Sequence, residues 1–353
     1  MSSQGNAGKT KKLPFAGETL PLSILEGEKN GTVCPVCGNA LVKESANGHF
    51  LFCPNCRGKA KLKDPSEIRP GDIVGNYRIL KKIGQGGMGA LFLCCPRNDF
   101  VRRYVLKMLC MSQDDDPALS GKRFRREALL LSRLNHENIV KVYEAWDDGL
   151  NMCLIMEYVD GYTLEQLRLK NCYDFNEAVS IQIMTLLAQA LNYAWEKLKL
   201  LHRDIKPSNI MIDDKGHIRL LDFGIAKSLD STSTTVLTLP EHGLGTPGFM
   251  SPEQFHNASS LSCTTDIYSL GATIYFLLTG KPPFTGKNPA AVLKEMLSHE
   301  AVPVHTLNPA VSENFSRLLQ KTLSRDPAQR PFSWRKLLAD LDRVSSGRPP
   351  LLE

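Results

Sequence analysis

Residues 201–224 read LHRDIKPSNIMIDDKGHIRLLDFG. Asp204, Lys206 and Asn209 share one short run, and Asp222 follows Asn209 by thirteen positions. A carboxylate, an ammonium, an amide and a second carboxylate are the groups that phosphoryl transfer needs. One acid takes a hydroxyl proton, a cation neutralises the moving phosphoryl group, and two oxygen ligands hold Mg²⁺. Hard oxygen donors suit Mg²⁺ and exclude a soft metal at this position.

Upstream, IGQGGMGALFL carries Gly84, Gly86, Gly87 and Gly89. In dinucleotide-binding folds such a glycine run joins a strand to a helix. Here apolar, strand-like residues flank it on both sides, so it reads as a hairpin whose backbone N–H groups can approach phosphates without Cβ obstruction. On its own it is equally a plain turn. YVLKML then places Lys107 on a following strand, and Glu127 is the one acid in an Arg- and Leu-rich helical stretch. A lysine that contacts two phosphates needs a carboxylate to hold its flexible stem. Taken singly, Lys107 is an edge-strand solubiliser and Glu127 a surface acid.

The surrounding periodicities give an α+β chain. YRILKKIG, ALFLCC and YVLKML form a three-strand antiparallel meander. GKRFRREALLLSRL has apolar residues at helical spacing. Two further strands fit IVKVYEAWDD and LNMCLIMEYV, and from DGYTLEQL onward the chain is mainly helical, with long apolar segments at 176–200, 265–279 and 288–342. A small β-rich lobe therefore precedes a larger helical lobe, without internal repeats.

With these motifs in order, residues 73–343 resemble a eukaryotic-type (Hanks-type) protein kinase domain, a two-lobed fold with an N-lobe at 73–159 and a C-lobe at 160–343. The resemblance implies ATP and Mg²⁺ as cofactors and protein hydroxyls as acceptors. It makes Asp204 the catalytic base, Lys206 the γ-phosphate cation, and Asn209 and Asp222 the Mg²⁺ ligands. The glycine loop, Ile83, Gly84, Gln85, Gly86, Gly87, Met88 and Gly89, would cover ATP. Lys107 would contact the α- and β-phosphates and pair with Glu127. Leu91, Val105, Met156, Glu157, Val159 and Met211 would enclose adenine, with Met156 at the back of the pocket and Glu157–Val159 as the hinge. Glu253 in SPEQ would pair with Arg330, and Asp266 would anchor the catalytic loop. Lys206 in HRDIKPSN and Thr246 in GTPGF resemble serine/threonine rather than tyrosine kinases, and GGMG and SPEQ resemble bacterial members. Three positions depart from the family's pattern. Val105 replaces the usual Ala and adds bulk over adenine. Leu91 replaces a Val. Thr163 stands where relatives carry a ribose-binding acid, with Asp160 as the substitute.

Arg203 directly precedes Asp204, and Lys227 follows Asp222 by five residues. Two cations beside a catalytic base call for an anion. The hydroxyl-rich stretch between them and the helical lobe, SLDSTSTTVLTLPEHGLG, offers Thr234, Thr235 and Thr238. A phosphate there adds about −1.5 to −2 charge and charge-assisted hydrogen bonds. Autophosphorylation is the expectation, between two copies if the chain forms a homodimer. A flexible hydroxyl-rich loop is the plain alternative.

Cys34, Cys37, Cys53 and Cys56 have the C-x₂-C-x₁₅-C-x₂-C spacing of a structural zinc site. ALVKESANGHFLF between the pairs fits two short strands and a turn at Asn47-Gly48. This zinc ribbon at 31–58 follows a flexible arm (1–30) and precedes a linker (59–72), and a tail (344–353) closes the chain. Phe50 and Phe52 would stack on bases or form the ribbon's small core; the second reading is preferred. Net charge is +6, and residues 1–70 hold ten Lys and Arg against six Asp and Glu. Four thiolates on one Zn²⁺ would halve that local excess of four, which argues against a nucleic-acid partner. The other six cysteines show no disulfide framework. The N-terminus lacks an apolar h-region, and IYSLGATIYFLLTG is too short to span a bilayer. The expected location is cytoplasmic. The alternative to an active kinase is a weakly catalytic pseudokinase scaffold with a docking ribbon.

Overall fold

The computed structural model describes residues 42–44, 50–52, 59–60, 65, 67–86, 89–110, 117–147, 151–223, 247–255 and 261–351. Several residues singled out above lie outside these ranges: Cys34, Cys37, Cys53, Cys56, Gly87, Met88, Lys227, Thr234, Thr235, Thr238 and Thr246.

Near the N-terminus, β1 (Val42–Glu44) pairs antiparallel with β2 (Phe50–Phe52), and β2 with β3 (Lys59–Ala60). These are the two short strands expected between the cysteine pairs, plus a third.

The β-rich lobe is a six-stranded sheet in the order β4-β5-β6-β7-β9-β8. Its strands are β4 (Ile73–Val74), β5 (Tyr77–Gly86), β6 (Gly89–Pro96), β7 (Tyr104–Cys110), β8 (Val142–Asp147) and β9 (Asn151–Glu157). The expected meander is β5–β6–β7. Its two faces go to different cores because strand side chains alternate. Phe92, Leu106 and Ile155 are buried in a cluster with Ile79 and Tyr77. The neighbouring positions Leu91, Val105, Leu154 and Met156 face the other way, into the main core shared with the helical lobe. Ile68, within the stretch read as linker, is buried in the first cluster. Helix α1 (Pro117–Ser132) packs on β8 and β9.

The second lobe is built on α2 (Leu164–Leu169), α3 (Glu177–Leu198), α4 (Cys263–Thr279), α5 (Pro289–Ser298), α6 (Val304–Leu307), α7 (Glu313–Thr322) and α8 (Trp334–Ser345). Helix α4 carries the apolar stretch noted above, and every residue from Cys263 to Leu278 is buried. It starts at a Ser262–Thr265 capping box and stops at Gly280, whose φ of 80° a residue with a side chain rarely adopts. Helix α7 crosses it closely: a Cβ on Gly271 would sit 2.1 Å from Thr322 Oγ1. Helix α7 presents Phe315, Leu318, Leu319 and Thr322 inward, one face at helical spacing. Among the described residues no helix is long and apolar enough to cross a membrane.

Candidate active site

A short hairpin brings the ends of the opening stretch together. Strand β11 (Ile210–Asp213) pairs antiparallel with β12 (Ile218–Leu220), in register Ile210↔Leu220, beside β10 (Gly161–Thr163). Asn209 ends the loop entering β11, and Asp222 lies just past β12. Leu221 N donates to Asn209 O at 2.8 Å, so the thirteen-residue spacing becomes spatial adjacency.

The loop before β11 is held from below by Asp266. This carboxylate, in the first turn of α4, accepts from His202 N at 2.7 Å and Arg203 N at 2.8 Å. A helix N-terminus favours the buried negative charge. The His202 ring is fully buried. Its Nε2 lies 2.6 Å from Leu221 O, a pure acceptor, and its Nδ1 accepts from Asp204 N at 3.3 Å. Those partners require the neutral Nε2–H tautomer. One imidazole thus fastens the Asp204 backbone to the segment that carries Asp222. Arg203 and Asp222 both have positive φ, 63° and 44°. Each such residue costs of the order of 1–3 kcal/mol, and the bonds to Asp266 and His202 hold the conformation.

Within this frame Asp204, Lys206 and Asn209 converge. Lys206 Nζ is 2.9 Å from Asp204 Oδ2, and Asn209 Nδ2 donates to the same oxygen at 2.7 Å and to Asp204 O at 2.8 Å. Both Asn209 donor contacts are to pure acceptors, so its nitrogen must face them and its Oδ1 points elsewhere. The side-chain Oδ1 of Asn209 and the carboxylate of Asp222 are hard donors of the type Mg²⁺ takes. Such a site uses few protein ligands and completes its shell with phosphates and water, so the residues present fit the ion.

The opposite wall comes from the sheet. Lys107 on β7 stands opposite Leu91 on β6 and Leu154 on β9, and Val105 opposite Met156. Lys107 Nζ makes its ion pair with Asp222 Oδ1 at 2.9 Å. The resemblance implied Glu127 as its partner. Glu127 is half-buried on α1, and Asp222, at a positive φ just past β12, supplies the lysine with a carboxylate from the other wall. Both walls of the cleft are therefore joined by charge across the sheet–hairpin boundary. Met156 lines an apolar cavity together with Leu154, Leu220, Asp222 and Phe223, at the back of the cleft. Val159 is buried, and Leu91, Val105 and Met211 are half-buried against the same core. Glu157 turns its carboxylate away, accepting from Lys141 N and facing Arg219 at 3.6 Å.

The glycine loop has a packing reason as well. Gly86 and Gly89 are register partners closing the β5–β6 hairpin. Gly89 has φ of 142°, and a Cβ there would lie 1.9 Å from Met108 O on β7. Any side chain at this position would force the hairpin off the sheet. Gly84 lies opposite Leu91, and Gln85 and Ile83 are exposed at the hairpin's rim. Thr163 is explained by capping: its hydroxyl accepts from Gln166 N, in a capping box that starts α2.

Below the cleft, Glu253 and Arg330 form the expected pair as a two-pronged contact, at 2.7 and 2.9 Å. Arg330 is buried, stacks over Tyr268 at 4.9 Å, and donates further to Ser324, Arg325 and Thr264 carbonyls. Burial alone would raise the Glu253 pKa, but the Arg330 hydrogen bonds and charge, with a Thr265 hydroxyl, hold it below its ordinary value. One participant was given no role in the sequence: Gln254, the last residue of SPEQ, is buried beside this pair and reaches the Arg203 carbonyl.

Comparison with known proteins agrees with the geometry. The protein kinase domain family matches residues 77–340. The serine/threonine-protein kinase PknB of Mycobacterium leprae is 34% identical over 80% of this chain and 45% of its own length. PrkC of Bacillus subtilis, also a serine/threonine-protein kinase, is 34% identical over 76% of this chain and 40% of its own. The chain thus spans less than half the length of these relatives. The crystal structure of the M. tuberculosis PknI kinase domain superposes with a TM-score of 0.59 at 24% identity, covering 79% of this chain and 99% of that one. The fold, the matched span and the joined Asp204 and Asp222 loops agree: the chain belongs to the protein kinase domain family, with its bacterial serine/threonine kinases among the relatives.

Proposed function

We propose that this chain is an ATP-dependent serine/threonine protein kinase. The observation that carries the reading is the convergence of Lys206 and Asn209 on one oxygen of Asp204, with the Lys107–Asp222 pair across the cleft. Asp204 accepts the proton of a serine or threonine hydroxyl as its oxygen bonds to the γ-phosphorus and the bond to the ADP oxygen breaks. Lys206, 2.9 Å from Asp204 Oδ2, neutralises the oxygens of the migrating group. Lys107 orients the α- and β-phosphates. Asn209 and Asp222 would hold Mg²⁺, which when bound offsets the phosphate charge. Leu91, Val105, Met156 and Met211 supply the apolar walls for adenine. The experiment is incubation of purified protein with MgATP and a generic protein acceptor, followed by phosphoamino-acid analysis. Phosphoserine and phosphothreonine are expected; phosphate on tyrosine alone would refute the reading.

Activation by autophosphorylation at Thr234, Thr235 or Thr238 belongs to the same proposal, motivated by Arg203 and Lys227 flanking Asp204 and Asp222 in sequence. Mass spectrometry of active protein should find phosphate between residues 228 and 246. An active protein without it would remove this part.

The cysteine module is proposed as a structural zinc ribbon on Cys34, Cys37, Cys53 and Cys56. The register Val42↔Phe52 supports it. That register puts Val42 and Phe52 at the same end of the hairpin, and in the sequence one cysteine pair precedes Val42 and the other follows Phe52. With four protein ligands such a site is closed and non-catalytic. Cys34→Ser/Cys37→Ser should lower bound zinc from one ion per chain to none by elemental analysis, and leave basal kinase activity within about twofold. Complete loss of activity in a folded kinase domain would place the ribbon in the catalytic apparatus.

A further inference from the structure

The peptide unit that joins Arg203 to Asp204 is held at both of its polar atoms. Its N–H, that of Asp204, donates to His202 Nδ1 at 3.3 Å. Its C=O, that of Arg203, accepts from Gln254 Nε2 at 2.9 Å, a contact between residues fifty-one apart. Gln254 is 9% exposed. The other end of its amide is also used: Oε1 accepts from Ser251 N at 3.0 Å and lies 3.4 Å from Ser251 Oγ. Both amide atoms are therefore assigned by their neighbours, the nitrogen to a carbonyl and the oxygen to an N–H. Gln254 sits in the short helical turn Pro252–Phe255, whose Glu253 is fastened to Arg330.

From this we infer that Gln254 is a positioning residue for Asp204, a role that rests on the kinase reading above. Arg203 has φ of 63°, a conformation that a residue with a side chain leaves when it is not held. Asp266 fixes its N–H, and Gln254 fixes its C=O. Rotation of the 203–204 peptide would swing Asp204 away from Lys206 and Asn209. Gln254 blocks that rotation and does so from the segment that follows the hydroxyl-rich loop. The catalytic base is then correctly aimed only while the turn at 252–255 is folded against the catalytic loop. The role acts through the peptide; Gln254 does not reach the reacting atoms.

The test uses the full chain with two substitutions. Gln254→Met keeps the length of the side chain and removes both hydrogen bonds. Gln254→Glu keeps the acceptor for Ser251 N and replaces the donor toward Arg203 by an oxygen. Gln254→Met should lower kcat about tenfold, the scale of one positioning hydrogen bond, with KM for ATP unchanged. Gln254→Glu should show a deficit, relative to wild type at the same pH, that narrows as pH falls from 8.5 to 6. A protonated carboxyl can again donate to the Arg203 carbonyl. The titratable groups around the 203–204 peptide and the 252–255 turn are His202, Asp204, Glu253 and Asp266, present in all three proteins, and each variant is read as a ratio to wild type at the same pH. Independently of turnover, hydrogen exchange at the Asp204 amide should speed up in both variants, with β7 and α4 amides unchanged. Wild-type kcat with wild-type exchange at Asp204 in either variant overturns the inference. So does a loss of kcat in Gln254→Glu that is the same at every pH. An inactive wild type would overturn the kinase reading instead, and the exchange measurement would still decide the role of Gln254.

Discussion

Asp204→Asn is expected to lower kcat for phosphoryl transfer by about 10²- to 10⁴-fold while the protein stays folded and binds nucleotide. The substitution is nearly isosteric. The side-chain oxygen that it retains can still accept from Lys206 Nζ and Asn209 Nδ2, which now share Asp204 Oδ2. The backbone contacts of the loop, to Asp266 and His202, do not involve the 204 side chain. Structure and nucleotide affinity should therefore persist, and what disappears is the ability to take a proton. Thermal unfolding within a few degrees of wild type, unchanged nucleotide binding by calorimetry and a collapsed kcat are the joint expectation. Turnover close to wild type would refute Asp204 as the base. Comparable loss of folding and activity would leave the loop's contacts misassigned, with the side chain carrying structure instead.

The residues that meet through short-range structure were legible in the sequence. Asp204, Lys206 and Asn209 share one loop, and Asn209 and Asp222 are linked by a single hairpin whose length sets their spacing. The meander, the buried α4 and the Glu253–Arg330 pair followed from periodicity and motif. What escaped were contacts made across the fold without a local pattern. Gln254 stands in SPEQ, but the wording does not say that its amide reaches Arg203 in another segment. The Lys107–Asp222 ion pair depends on how the turn past β12 aims a carboxylate toward the sheet, which no spacing encodes. Gly89 was read for phosphates, yet it also has to be small because β7 runs directly behind it. Thr163, weighed against an acid, is there to cap a helix.

Arg330→Met should be the most destabilising single change in the helical lobe, at about 3–5 kcal/mol. Arg330 is buried, and its guanidinium joins four residues in three chain segments: Glu253, the start of α4 through Thr264, and the adjacent Ser324 and Arg325 carbonyls. Methionine fills much of the same volume against Tyr268 but donates nothing. The loss is dominated by Glu253, left largely buried without its cation and held only by a backbone N–H and the Thr265 hydroxyl. That origin fixes the pH dependence. In the wild type the Glu253 pKa is depressed, so its contribution is present above the ordinary value of 4.5 and lost only as pH falls through the lower folded value. In Arg330→Met the lowering contacts to arginine are gone while burial remains, so Glu253 takes up its proton at higher pH than in the wild type and is relieved of its charge. The stability difference between the two proteins should therefore narrow as pH is lowered from 7 toward 4. Urea denaturation at a series of pH values measures this directly. A difference that stays constant, or widens, in acid would mean that Arg330 acts through packing and its carbonyl contacts alone. Because Gln254 adjoins Glu253, the same variant should also accelerate amide exchange at Asp204, linking the stability of this ion pair to the aim of the catalytic base.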